Sequence, residues 1–78
     1  MKSVEELIER GSTLSFLTID KQDISDWVFE VEDYLKENNQ LSSDSKIWIA
    51  NVKRYGFQFS DGNNLISYLK TLGHSIKI

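Results

Sequence analysis

The chain contains no cysteine, and that absence excludes disulfide bonds, thiolate metal sites and cysteine nucleophiles while fitting a reducing compartment. Long apolar runs are also missing, since no stretch approaches the roughly 20 residues that a membrane-spanning helix needs. The sequence starts Met1-Lys2-Ser3-Val4-Glu5-Glu6, and no apolar segment of the kind found in a signal peptide follows this charged start. These absences predict a cytoplasmic protein that does not associate with membranes.

Residues suited to catalysis are equally scarce. The single histidine, His74, lies beside a predicted helix end, where a surface or capping role is expected. Histidines and carboxylates show no metal-ligand spacing. Asp61-Gly62-Asn63 is typical of a turn or a helix cap and matches no phosphate-binding loop. We therefore expect neither an enzyme nor a cofactor or metal site.

The 78 residues allow one domain, residues 1–78, with a core that supports roughly 3 to 5 kcal/mol of stability. The net charge of −3 conceals an asymmetry between the two halves. Residues 1–40 contain 10 acidic and 4 basic side chains, whereas residues 41–78 contain 2 acidic and 5 basic ones. The asymmetry predicts two surfaces that prefer different partners.

The first predicted helix begins at a capping box, Ser3-x-x-Glu6, and can stop at Gly11. Residues 13–19 are apolar and rich in β-branched side chains. That composition fits a strand, an extended crossover or a continuation of the helix.

Three more helices follow from apolar spacing and caps. The second, capped by Asp20 or Asp23, should end near Asn38. The third begins at residues 42–44 and ends before Gly56, and the fourth follows residues 60–61 and ends with Gly73 as its C′ residue. The predicted buried positions are Ile24, Trp27, Val28, Val31, Leu35, Trp48, Ile49, Val52, Tyr55, Leu65, Ile66, Leu69 and Leu72.

The predicted fold class is all-α, a compact bundle of about four helices, to which a short extended segment at 13–19 and a short C-terminal strand at 74–78 are left open as additions. The alternative is an α+β fold of ferredoxin-like βαββαβ order. Its strands would occupy residues 13–20, 46–51, 57–60 and 74–78.

The most specific feature is a row of carboxylates on the second helix, which we call the acidic ridge: Asp23, Asp26, Glu30, Asp33 and Glu37. Their spacing of three and four residues places them within about 80° of one another on a helix. Like charges at this spacing cost roughly 0.2 to 0.5 kcal/mol per pair, and only Lys36 is near enough in sequence to offset them. Phe29 points about 150° away from the apolar stripe and is a candidate anchor. The ridge predicts binding to a protein with a basic surface.

A second candidate is a nucleic-acid face. Its residues are Lys53, Arg54, Asn63, Asn64, Ser67, Lys70 and Lys77. Such side chains hydrogen-bond phosphates and base edges. The run from Tyr55-Gly56-Phe57 through residues 64–73 to Ile76-Lys77-Ile78 resembles the second half of a winged helix-turn-helix, which implies DNA recognition by the fourth helix.

Residues 4–38 show another resemblance. Leu7-Ile8-Glu9-Arg10-Gly11, followed by Trp27-x-x-Glu30-Val31-x-x-Tyr34-Leu35, resembles the small helical module at the front of some bacterial abortive-infection-type defence proteins. The resemblance implies an interaction module in phage–host conflict, without catalysis, and it carries over no functional residue.

Together these patterns predict a non-enzymatic protein-binding module, a phage or bacterial regulator or inhibitor that uses its acidic helix. The alternative is a small winged-helix-like transcriptional regulator. Self-association is a third interpretation for a domain of this size.

Overall fold

Four helices make up the protein in the computed structural model, which describes the backbone of residues 3–17 and 21–76 and the side chains of residues 3–15 and 21–73. The helices are α1 (Val4–Leu17), α2 (Lys21–Glu37), α3 (Ser43–Tyr55) and α4 (Asp61–Ile76). No strand occurs in these ranges. The all-α prediction is confirmed, and the ferredoxin-like alternative is wrong because residues 46–51 lie inside α3.

The helices form a ring in which each packs on two neighbours. Helix α1 packs on α2 and α4, and α3 packs on the same two helices from the other side. The α1–α4 pair is antiparallel, because Val4 lies near Gly73 and Gly11 lies near Ile66. The α3–α4 pair is antiparallel as well, since Asn51 contacts Asp61 and Trp48 contacts Tyr68.

One hydrophobic core fills the space between the helices. Its fully or nearly fully buried members are Val4, Leu7, Ile24, Trp27, Val28, Val31, Tyr34, Leu35, Ile49, Val52, Leu65, Ile66 and Leu69. Trp27 is central to it: the indole N–H donates to the Leu7 carbonyl at 2.8 Å, and the ring lies 5.6 Å from that of Phe57. The predicted α2 stripe is therefore buried throughout.

Side-chain caps and left-handed residues set several helix ends. At the start of α3, Ser42 Oγ accepts from the Ser45 N–H at 3.1 Å, and Ser45 Oγ accepts from the Ser42 N–H at 2.8 Å. This reciprocal pair satisfies two orphan donors and keeps the fully buried Ser45 paired. Asn39 and Gly56 take positive φ angles of 56° and 67° after α2 and α3. The predicted end of α2 and both predicted bounds of α3 are confirmed, whereas Asp23 lies inside the first turn of α2 and Asp20 lies outside the described residues.

The prediction that the first helix stops at Gly11 is wrong, because α1 continues to Leu17. Gly11 lies inside α1 and allows neighbouring side chains to pack closely against it; it does not end the helix. A Cβ there would lie 2.8 Å from Trp27 Cε2 and 3.2 Å from Ile66 Cγ1, so only glycine lets these side chains approach α1. Of the three interpretations left open for residues 13–19, the continuation of the helix is confirmed for residues 13–17, and residues 18–19 lie outside the described residues.

The C-terminal expectations also need correction. Helix α4 passes through Gly73 and continues to Ile76, so residues 74–76 are helical instead of extended, and 77–78 lie outside the described residues. Two predicted core aromatics are less buried than expected. Trp48 is half-buried, and Tyr55, whose ring packs edge-on against Phe59, is 45% exposed.

Replacing Gly73 with alanine should raise the free energy of unfolding by about 0.5 to 1 kcal/mol. The position is helical, and a Cβ there would lie 3.5 Å from Val4 Cγ1, an ordinary contact. Urea unfolding followed by circular dichroism measures the change. If Gly73 were instead a left-handed C′ residue that ends the helix, alanine would lower the free energy of unfolding. A measured loss of stability would therefore support the sequence prediction that Gly73 ends α4.

Candidate functional site

The acidic ridge lies on the outer side of α2. Four of its five carboxylates, those of Asp23, Asp26, Asp33 and Glu37, belong to exposed residues. They are exposed because α2 turns its apolar stripe toward the core and has α1 and α3 on its two flanks. The predicted orientation of the ridge is confirmed.

Glu30 differs from the other ridge members. Its carboxylate forms an ion pair with the Arg10 guanidinium of α1, and both side chains are about one-third exposed, at 34% and 36%. Asp26 accepts a hydrogen bond from the Gln22 amide at 2.9 Å. The expectation that only Lys36 could offset the ridge is therefore wrong, because a cation from another helix neutralises its central carboxylate.

Phe29 lies beside the ridge with 56% of its surface exposed. The Lys53 ammonium of α3 lies 4.6 Å from the centre of its ring and 3.3 Å from a carboxylate oxygen of Glu32. These contacts combine a cation–π interaction with an ion pair at the α2–α3 seam. Phe29 points outward as predicted, with one face of its ring under a lysine and the remainder open.

A groove between α1 and α2 extends the acidic surface past the ridge. It has a volume of about 510 Å³, and Glu6, Glu9 and Asp23 are among its lining residues, with Arg10 beside them. Sequence reasoning missed Glu6 and Glu9 as part of this surface. Their spacing on the first helix matched the ridge pattern too briefly to stand out, and only the packing of α1 on α2 joins the two sets.

The predicted nucleic-acid face divides between two sides of the bundle. On α4, Asn63, Ser67 and Lys70 are exposed and Asn64 is half-buried. Lys53 instead reaches to α2, and Arg54 stacks 5.8 Å from the ring centre of Tyr55. Lys77 lies outside the described residues. Since Lys53 turns toward α2 and Arg54 stacks on Tyr55, the structure leaves Lys70 as the one described cation of the predicted face on the polar side of α4.

A basic cleft, also missed from the sequence, opens where the end of α3 faces the start of α2. It measures about 460 Å³. Lys21, Lys53 and Arg54 line it together with Tyr55 and Phe57. Lys21 gave no sequence signal, because it is a single cation about 30 residues from the other two.

Three further properties of the described residues bear on function. They contain no group of three histidine, cysteine, aspartate or glutamate side chains placed to hold a metal ion. Burial raises the pKa of the Tyr34 phenol on the inner side of α2. Within residues 3–17 and 21–76, no helix has both the length and the apolar character to cross a bilayer.

Comparisons with known proteins gave no relative. No family model matches the chain, and neither a curated protein nor a solved structure matches it. Any functional proposal therefore depends on the geometry of the exposed surfaces.

Proposed function

We propose that this chain is a non-enzymatic protein-binding module whose acidic ridge engages a basic surface of another protein. The observation that carries the proposal is the state of the ridge carboxylates. Asp23, Asp33 and Glu37 are exposed and have no hydrogen-bond or ion-pair partner among the described residues. Like charges at this spacing repel one another in the free helix. A basic partner would offset that repulsion.

Phe29 supplies the apolar part of this surface. Interfaces gain most of their affinity from a few aromatic or arginine anchors, with charged pairs around them that steer the encounter. Phe29 combines a 56% exposed ring with a position on the same helix as the ridge. A regulator or inhibitor built in this way would act by occupying the partner's basic surface.

The double variant Asp33→Asn/Glu37→Gln is expected to bind the partner about fivefold more weakly or worse, because two steering charges are lost. Neither residue has a partner within the described chain, so the free energy of unfolding should change by less than about 0.5 kcal/mol. The partner is first captured from a nuclease-treated lysate of the source organism with the tagged protein. Its affinity for each variant is then measured at low and high salt.

The matched control is Asn63→Lys/Ser67→Lys on the outer side of α4. It changes the net charge by the same amount, uses the same i,i+4 spacing and alters two exposed positions. If both variants weaken binding equally, net charge alone governs the association and the ridge is not the site. Full affinity in the ridge variant would reject the proposal outright.

A further inference from the structure

The basic cleft differs in charge from the rest of the molecule. Its described lining comes from the end of α1, the start of α2, the end of α3 and the turn after it: Ser15, Lys21, Ile24, Val52, Lys53, Arg54, Tyr55, Gly56, Phe57 and Gln58. Three of the 7 lysines and arginines among residues 3–15 and 21–73 line this space, and none of the 11 acidic residues in those ranges does. In a protein with a net charge of −3, this separation of charge favours an anionic ligand.

Two of the three cations are free to meet such a ligand. Lys21 and Arg54 are exposed and form no ion pair within the described part of the chain. Lys53 is shared with Glu32 at 3.3 Å and with the ring of Phe29. Lys21 and Arg54 are therefore the residues expected to hold the negative charge.

Aromatic surfaces adjoin these cations. Tyr55 is 45% exposed, with the Arg54 guanidinium 5.8 Å from its ring centre. Phe59, 52% exposed, meets Tyr55 edge-on at 5.2 Å and extends the aromatic surface away from the cleft. On the inner side, Phe57 lines the cleft while packing on the buried Trp27. The arrangement offers stacking surfaces within reach of two cations, the combination that recognises nucleotides.

We propose that the basic cleft binds a nucleotide, with the phosphate at Lys21 and Arg54 and the base stacked on Tyr55. The cleft of about 460 Å³ falls within the size range of small-ligand sites. The nucleotide can be free or a unit of a single strand, because both present the same phosphate and base. This site is separate from the acidic ridge, since Lys21 and Asp23 point about 160° apart on α2.

The test is a titration of the ¹⁵N-labelled protein with adenosine monophosphate, followed by amide chemical shifts. Saturable shifts are expected for residues 53–58 and 21–24. The variant Lys21→Gln/Arg54→Gln should weaken binding by about tenfold or more, because it removes the two lining cations that form no ion pair among residues 3–15 and 21–73. The control Lys46→Gln/Lys70→Gln removes two exposed cations elsewhere and should stay within about twofold of the unaltered protein. The spectra also show that each variant is folded.

Inorganic phosphate, adenosine and a short oligothymidylate complete the experiment. Phosphate and adenosine alone should each bind more weakly than the nucleotide, because each makes half of the contacts. Tighter binding of the oligonucleotide would identify a single strand as the source, and tighter binding of the monophosphate a free nucleotide. The proposal is overturned if no saturable shift occurs at millimolar nucleotide, if phosphate alone binds equally well, or if the control loses as much affinity as the cleft variant.

Discussion

Trp27→Ala is expected to leave most of the protein unfolded at room temperature. The side chain is fully buried, its indole N–H bonds to the Leu7 carbonyl, and its ring packs on Phe57. Truncating a buried tryptophan costs about 3 to 5 kcal/mol, and a domain of this size has about the same total stability. Far-UV circular dichroism against urea measures the loss.

Trp48→Ala provides the matched control for this prediction. Trp48 is half-buried and packs edge-on against Tyr68 at 5.8 Å. Its truncation leaves no enclosed cavity and should cost about 1 to 2 kcal/mol, so the protein stays folded. Equal losses from the two variants would show that Trp27 is not the centre of the core.

Gly11→Ala should destabilise the protein by about 1 to 2 kcal/mol, although alanine is the better helix former. The new Cβ would clash with Trp27, whose ring cannot retreat because it is fully buried and its N–H is bonded to the Leu7 carbonyl of α1, the helix that carries Gly11. The clash outweighs the helix-propensity gain of about 1 kcal/mol. Urea unfolding gives the change in free energy.

A second substitution isolates the clash. In the background Trp27→Phe, which removes the indole atoms nearest Gly11, the change Gly11→Ala should cost at least about 1 kcal/mol less than in the unaltered protein. Additive effects of the two substitutions would mean that Gly11 is required for a reason other than its contact with Trp27.

Local signals in the sequence were sufficient for most of the fold. The i, i+3, i+4 spacing from Ile24 to Leu35 identified α2, and a serine cap with a following Gly56 bounded α3. Gly11 misled because glycine is used both to end a helix and to let another element approach it, and Gly73 misled because a helix can also pass through a glycine at a modest cost in helix propensity. A close approach depends on the side chain that lies opposite the glycine. For Gly11 that side chain is Trp27, 16 positions further along the chain.

The acidic ridge and the basic cleft differ in the same respect, since the first depends on local sequence and the second on contacts between helices. Helical periodicity placed the ridge carboxylates on one side of α2, because that property is internal to one helix. The Arg10–Glu30 pair and the Lys53–Glu32 pair join residues 20 and 21 positions apart, so they depend on how the helices pack. The basic cleft depends on packing as well, since it brings Lys21 from one helix to Arg54 of another.

The antiparallel pairing of α1 with α4 has a mechanical consequence. Val4 in the first turn of α1 lies against Gly73 near the end of α4, so the chain enters and leaves the bundle at the same end. Tension applied through the two flanking segments would load the contacts of this pair one after another from that end, as a zipper opens, instead of all together. In a bundle connected in this way, we expect the first response to pulling to be the separation of α1 from α4.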